Sequence, residues 1–267
     1  MGCAQGKTIE EDRSKNNYGF PACRKSINLE KAVDSLVAHD PQQVYLGARD
    51  ELQLLDLKTD SISCFSTEHK GRINVLIKLK DGRLASAGQD KLIKVWDINS
   101  KESLMTLEGH TSMIWALNEV SGNKLISGGS DKRALIWDMN EKKMDFELYK
   151  DKEITAALQL KSGKVLVCSE YNLCLFDLDS KQKLTSIEVK TGIWCMKELA
   201  DGTVAIGEGN GDISILEVRN DIKIKCVLKG HKKTVNYIIQ LGNQKLVSAA
   251  DENNMILWDL KDPEAKF

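Results

Sequence analysis

Histidine, serine and a carboxylate recur in this sequence at one spacing. Together they are the side chains of a nucleophilic hydrolase: a base that takes a hydroxyl proton and an acid that orients the base. His69, His110 and His231 are each followed seventeen residues later by a serine, Ser86, Ser127 and Ser248, and four residues after that by Asp90, Asp131 and Glu252. A nucleophile needs one site open to substrate, whereas this set recurs and uses three of the four histidines. Each set also ends on a tryptophan, Trp96, Trp137 or Trp258, 27 residues after its histidine. A buried imidazole, carboxylate, hydroxyl and indole N–H can satisfy one another through a chain of hydrogen bonds, so the set reads as a structural staple. Glu252 stands where the other sets carry Asp, with Asp251 just before it, which leaves a one-residue shift open there.

Other chemistry-bearing segments are weaker. His39 lies beside Asp40-Pro41 and reads as a solvated turn residue. No H-E-x-x-H or G-x-S-x-G segment occurs. The stretch from Gly2 to Thr8 has three residues between its glycines where a phosphate-binding loop has four, and no strand before it. The Gly-rich run from Gly207 to Gly211 falls at a hairpin. No catalytic residue, no metal site and no cofactor is expected, and the chain is expected not to be an enzyme.

The elements that must position these residues repeat. An apolar-acidic pair closes a short apolar run at Leu55-Asp56, Trp96-Asp97, Trp137-Asp138, Phe176-Asp177, Leu216-Glu217 and Trp258-Asp259, and the acidic members step by 41, 41, 39, 40 and 42 residues. Within each unit, short runs rich in Val, Ile, Leu and Trp alternate with turn pairs such as Asp81-Gly82, Ser121-Gly122, Ser162-Gly163, Asp201-Gly202 and Asn210-Gly211. That pattern predicts four antiparallel strands joined by tight hairpins. One sheet of about 40 residues cannot bury both of its faces, so the six units must stack.

Composition excludes several classes. Thirty-eight Lys and Arg against 39 Asp and Glu leave a formal charge of −1, with no excess of positive charge to hold a phosphate backbone, so nucleic acid is not expected as a partner. Hydrophobic residues at 42% and charged residues at 29% suit a globular chain. Seven cysteines form no C-x-x-C pair, which predicts a reducing compartment and no disulfide framework. No stretch approaches the roughly 20 apolar residues that span a bilayer.

With Gly109-His110, Gly230-His231 and three Trp-Asp pairs at a constant phase, the sequence resembles the WD-repeat family, whose units are also about 40 residues. The resemblance covers residues 28 to 260. It implies an all-β fold, a β-propeller of six four-stranded antiparallel blades. It also implies that the recurring His, Ser, Asp/Glu and Trp form the family's structural tetrads, complete in blades 2 and 3, with Glu252 as the departure in blade 6. Residues 1–20 are expected as a flexible tail and 21–267 as a single six-repeat propeller domain.

After Trp258-Asp259-Leu260 only Lys261 to Phe267 remain, too few for a full outermost strand. Propellers of this family commonly borrow such a strand from the other terminus, and the segment from Ala22 to Leu29 is expected to complete blade 6 and close the ring. Two further arrangements stay open: a ring completed by a partner's blade, as in coat-like assemblies, and a chain cut from a seven-bladed parent. Gly2 and Cys3 form an imperfect signal for myristoylation and palmitoylation, with Gly6 where Ser or Thr is preferred and acidic residues close behind. The protein is expected in the cytoplasm, on a membrane only if that terminus is acylated.

The resemblance implies an interaction scaffold with protein or peptide partners. Some ubiquitin-ligase receptors of the family carry Arg two residues after Trp-Asp; here Asn99, Asn140 and Lys261 stand at those positions. In such propellers the residues flanking the start of each first strand commonly contact partners. Aligned on Val33, Ile73, Ile114, Ile154, Ile193 and Val235, they include Arg72, Asn74, Met113, Trp115, Glu153, Thr155, Trp194, Thr234 and Asn236. Trp115 and Trp194 are the two tryptophans not used by Trp-Asp pairs, and both fall at one phase. They read either as packing between blades or as an exposed patch beside Arg72 and Glu153.

Overall fold

Alternating strand patterns and Gly-containing turns produce an all-β chain in the computed structural model, which describes residues 8–9, 26–27, 29, 31–65, 69–242, 244–252 and 254–261. Gly2, Cys3 and all of the expected 1–20 tail except Thr8–Ile9 lie outside the described residues. The chain divides into two compact units, Met1–Leu107 and Glu108–Phe267.

The first unit holds a short ribbon, β1 (Thr8–Ile9) with β2 (Ser26–Ile27), and two blades. Blade 1 comprises β3 (Val33–Asp40), β4 (Gln43–Ala48), β5 (Glu51–Asp56) and β6 (Ile62–Cys64), and blade 2 comprises β7 (Ile73–Lys78), β8 (Leu84–Gly88), β9 (Ile93–Trp96) and β10 (Ser103–Leu107). Tyr45, Leu52 and Phe65 of blade 1 pack with Ile73, Leu76, Leu84 and Trp96 of blade 2, and the rings of Tyr45, Phe65 and Trp96 meet edge to face.

The second unit carries four more sheets. Blade 3 is β11 (Ile114–Val120), β12 (Lys124–Gly129), β13 (Arg133–Asp138) and β14 (Lys143–Lys150), and blade 4 is β15 (Ile154–Gln159), β16 (Val165–Ser169), β17 (Asn172–Asp177) and β18 (Gln182–Glu188). Blade 5 is β19 (Ile193–Glu198), β20 (Val204–Glu208), β21 (Asp212–Val218) and β22 (Ile222–Lys229), and blade 6 is β23 (Val235–Leu241), β24 (Lys245–Ala250) and β25 (Met255–Asp259). Every strand pairs antiparallel with its sequence neighbour. Second strands such as β16 and β20 are buried at every residue, because both faces of the sheet are covered, while the outer strands β14 and β18 are mostly exposed and charged or polar. Successive blades are clipped one period apart by side chains of first strands: Asn118 Nδ2 donates to Ala157 O at 2.7 Å, Thr155 Oγ1 to Ile193 O at 2.6 Å, and Cys195 Sγ to Val235 O at 3.4 Å.

The aspartate of an apolar-acidic pair organises the turn that follows it. Oδ1 of Asp97 accepts the N–H groups of Asn99 and Ser100, and Oδ1 of Asp138 those of Asn140 and Glu141. Those backbone donors hold both carboxyls below their ordinary pKa. The turn closes four residues on with a left-handed residue, Lys101 (φ 60°) or Lys142 (φ 53°). In the hairpins that join first to second strands that conformation falls on Gly82 and Gly122, where φ is 94° and 79° and glycine alone adopts it without strain.

Three expectations are corrected. The strand expected to complete blade 6 is engaged elsewhere: Ser26 and Ile27 pair with Ile9 and Thr8, and the sixth sheet has three strands among the described residues. A partner 17 or 19 residues away closes a shorter loop than the far end of the chain and costs less chain entropy. Cys64 is disulfide-bonded, to a partner outside the described residues, whereas Cys168, Cys174, Cys195 and Cys226 are free. Spacing along the chain does not say which sulfurs meet in space. His39 is not a solvated turn residue but sits half-buried at the end of β3, edge-on to Tyr45 at 5.2 Å, with Lys78 Nζ 3.1 Å from its Nδ1. Pro41 ends that strand after Asp40, so the turn begins beyond the histidine.

Candidate functional site

Each recurring set folds into one continuous chain of hydrogen bonds within its own blade. The indole Nε1–H of Trp96 lies 2.7 Å from Ser86 Oγ, Ser86 Oγ lies 2.7 Å from His69 Nε2, and His69 Nδ1 lies 2.7 Å from Asp90 Oδ2. In blade 3 the same separations are 2.7, 2.6 and 2.8 Å through Trp137, Ser127, His110 and Asp131. In blade 6 they are 2.8, 2.7 and 2.7 Å through Trp258, Ser248, His231 and Glu252. Glu252 itself takes the acidic position without a register shift, and Asp251 instead accepts from Asn236 Nδ2 at 2.6 Å.

An indole can only donate, so each serine oxygen accepts from the tryptophan; in the tautomer that carries its proton on Nδ1, the imidazole donates to the carboxylate and Nε2 accepts the serine proton. The carboxylate also accepts the N–H following the histidine, from Lys70, Thr111 or Lys232. Burial pushes His110 below the ordinary imidazole value, against the opposing pull of Asp131. Burial works to raise the Asp90 carboxyl, but bonds from His69, Leu92 and Lys70 outweigh it and leave it below its usual value. The bond from His231 likewise lowers Glu252.

This connectivity is that of a Ser-His-Asp triad, and its surroundings rule out that use. Ser86, Ser127 and Ser248 are 0, 0 and 1% exposed, and one lone pair of each oxygen is taken by an indole N–H. The three sets join the loop before the first strand to the second and third strands. The glycine of Gly-His has a steric reason: a β-carbon on Gly109 would lie 3.0 Å from Trp137 Cη2, and one on Gly230 2.7 Å from Trp258 Cη2.

The residues flanking the first strands are partly engaged. In the first unit, Arg72 is exposed and its Nη1 lies 3.6 Å from Asp34 Oδ1, with Asn74 half-buried beside it. In the second, Thr155 is spent on the clip to Ile193, Thr234 Oγ1 lies 3.4 Å from Gly209 O, Asn236 holds Asp251, and Met113 is half-buried. Trp115 and Trp194 stand out at 37% and 51% exposed, against 0, 0 and 1% for Trp96, Trp137 and Trp258. Trp115 Nε1–H donates to Ser130 Oγ at 2.8 Å, and Ser130 Oγ–H donates to Glu153 Oε1 at 2.5 Å. Trp194 leans on bare backbone, its Nε1 3.6 and 3.5 Å from where β-carbons on Gly192 and Gly209 would stand. These features form one strip, since Glu170 N–H donates to Glu153 O at 3.2 Å and Gly209 N–H to Gly192 O at 2.8 Å.

Sequence reasoning missed Ser130, the buttress of Trp115, and a buried cluster in blade 5, which lacks a tetrad. There Glu208, 6% exposed, accepts from Ser214 Oγ at 2.6 Å and from Thr191 Oγ1 at 3.0 Å. The available signal was a glutamate ending an otherwise apolar second strand.

The family model described as WD domain, G-beta repeat, matches residues 59–97 and 101–138. The chain carries WD40 repeats. Its similarity to curated WD-repeat proteins runs further along it. E3 ubiquitin-protein ligase COP1 of Arabidopsis thaliana is 23% identical over 257 residues, which cover 96% of this chain and 30% of that protein. The p21-activated protein kinase-interacting protein 1-like of Danio rerio is 27% identical over 231 residues, 84% of this chain and 62% of that protein. WD repeat-containing protein 41 of Mus musculus is 43% identical over 49 residues, 18% of this chain and 11% of that one. The WD40 chain therefore spans under a third of COP1 and under two thirds of the Danio rerio relative.

Proposed function

We propose that this WD40 chain is a non-catalytic scaffold that captures protein or peptide partners at the strip running from Trp115 through Glu153 to Trp194. The observation that carries the reading is the contrast among the five tryptophans: three are shut inside tetrads, while the two at the first-strand phase present indole surface to solvent. Trp is among the residues most often found as binding hot spots. Ser130 and the glycine backbone hold the two rings in place, so little side-chain entropy is lost on capture. Arg72 and Asn74 are the corresponding positions of the first unit. Affinity capture with Trp115→Ala and Trp194→Ala, followed alongside thermal melting, tests the reading: each variant is expected to lose partners while melting like wild type. Retained capture by both variants would refute it.

A second reading has its own support. The alignment to COP1 covers 96% of this chain, and a 25% identical stretch aligns with Protein SPA1-RELATED 3 of Arabidopsis thaliana over 67% of the chain. The WD40 chain would then be the substrate-capturing module of a ubiquitin-ligase assembly. Co-purification of ubiquitin-ligase subunits, lost in the Trp194→Ala variant, is the outcome that favours it. We further propose a cytoplasmic protein that reaches membranes only through acylation of Gly2 and Cys3, tested by whether Gly2→Ala moves it from the membrane fraction to the soluble one.

A further inference from the structure

Two residues of each outer strand share a face with the tryptophan position: the one paired with that position and the one paired with the residue two before it. In blade 2 these are Ser103 and Thr106, in blade 3 Met144 and Glu147, and in blade 4 Lys183 and Ser186. All but Met144 are polar, and Arg133 Nη2 lies 3.8 Å from the Met144 sulfur. At the seam of blades 3 and 4 the polar groups close over the apolar ones: Lys183 Nζ donates to Ser186 Oγ at 3.4 Å, and Lys181 Nζ sits 4.1 Å above the Phe146 ring.

Blade 5 departs from this pattern. Its two positions are Ile224, opposite Leu216, and Val227, opposite Ser214, and they are 54% and 39% exposed. Leu216 is buried in the core shared with blade 4, and alternation along β21 puts Ser214 on the same face, so both outer residues face blade 4. There β18 runs beside β22. Ile187 of β18 and Ile222 of β22 reach into the shared core, while Leu184, the residue left unpaired at the β18 bulge, is 43% exposed. The seam of blades 4 and 5 is therefore a crease with an apolar floor and three exposed apolar side chains on its lips. Apolar surface of this kind, rimmed by polar groups, marks a contact site.

The rim is cationic. Lys225 and Lys229 are exposed along β22, Lys190 follows the end of β18, and Arg219 with Lys164 lies at the opposite end, where Lys164 Nζ donates to Arg219 O at 2.7 Å. None of these five cations forms a salt bridge among the described residues. The nearby carboxylates are spent on their own turns: Asp177 accepts from Ser180, and Asp212, opposite Lys229, accepts from Asn210. Lysine on an outer strand ordinarily guards its open edge against pairing, but that role does not account for Ile224 and Val227 between the lysines.

We propose that the crease between β18 and β22 docks an extended acidic segment of a partner protein. Apolar side chains of that segment cover Leu184, Ile224 and Val227, and its carboxylates meet the cations along the rim, a complementarity that fixes register and speeds encounter. A crease between two strands admits one extended chain, whereas the plane of a bilayer would rest on its lips and leave the floor uncovered. The surface is separate from the strip between Trp115 and Trp194 and does not rest on it.

The test uses the purified full-length chain, immobilised, and a pool of octapeptides randomised among leucine, isoleucine, aspartate and glutamate. A second pool carries lysine and arginine in place of the acids. Mass spectrometry of the retained peptides should show capture from the acidic pool and not from the basic one, weakened by added salt. Ile224→Glu and Lys229→Glu should each lower retention about tenfold, whereas Leu104→Glu, at an exposed bulge of blade 2, and Trp194→Ala should leave it unchanged. All four positions are exposed, so each variant is expected to melt as wild type does, and melting is measured to establish it. Equal retention of the two pools, no retention by wild type, or an Ile224→Glu variant that retains the acidic pool like wild type overturns the proposal. So does Ile224-dependent sedimentation with phosphatidylserine vesicles in the absence of peptide capture, which would assign the crease to a membrane.

Discussion

A β-carbon on Gly230 would lie 2.7 Å from Cη2 of Trp258. Where Gly-His and Trp-Asp occur together, in blades 3 and 6, they are therefore the two sides of one contact: the histidine enters the hydrogen-bonded set, and the glycine before it leaves room for the edge of the indole. Gly230→Ala should destabilise by about 1–3 kcal/mol through overpacking. In a Trp258→Phe background, where the nearest clashing atom is gone and only the flexible end of Ile256, at 2.9 Å, must shift, the added cost of the alanine should shrink. Urea unfolding of the single and double variants measures this, and additive costs would show that the contact is not the cause.

Ser127 is the hub of its set. Ser127→Ala strands a buried indole N–H and a buried imidazole nitrogen, at roughly 1–3 kcal/mol for each unsatisfied group, so a loss of about 3 kcal/mol is expected. Ser130→Ala removes a hydroxyl from the exposed Trp115 and should cost well under half as much. Equal losses in chemical denaturation would contradict the assigned roles.

Acid should weaken the fold in two stages. Burial holds His110 below its ordinary 6.5, so the unfolded chain takes up that proton first. The stability this adds is complete above 6.5 and is lost as pH falls from 6.5 through the lower folded value. Asp90, lowered from 3.8, adds stability that is present above 3.8 and lost as pH falls through its own folded value. Tm should be level above 6.5, decline through the histidine range and drop again in the carboxylate range. A Tm that does not change until the carboxylates titrate would show that His110 is not held neutral by the fold.

Trp137 and the pair Trp115 and Trp194 should fail in opposite ways. Trp137→Ala opens a cavity and breaks the set, at about 3–5 kcal/mol. Trp115→Ala and Trp194→Ala should leave the melt nearly unchanged and weaken capture of a central partner by about 2 kcal/mol or more. Should all three variants melt alike, the two exposed indoles are core and the proposed strip is misplaced.

The repeats were legible before any coordinates because a propeller blade is built from neighbours in sequence. Each hydrogen-bonded set is contained within 28 residues, from His110 to Trp137 for example, and its members recur at one phase. Other features were hidden because their partners lie in a different blade or differ by side-chain length alone. Glu252 reaches His231 through one extra methylene, a choice between neighbours that spacing could not make. Ser130 is an ordinary turn serine until Trp115 and Glu153 converge on its hydroxyl, and Glu208 gains meaning only once Thr191 and Ser214 are folded onto it.

From the sequence alone came the all-β class, the six-fold period, the hairpin turns and the structural role of the His, Ser, acid and Trp sets, because local periodicity and recurrence carry that information. Tertiary structure alone decided which tryptophans face solvent, which strand Ser26 and Ile27 pair with, and that Cys64 is bridged. Exposure and long-range pairing depend on what the rest of the chain covers, and no spacing within a single repeat records that.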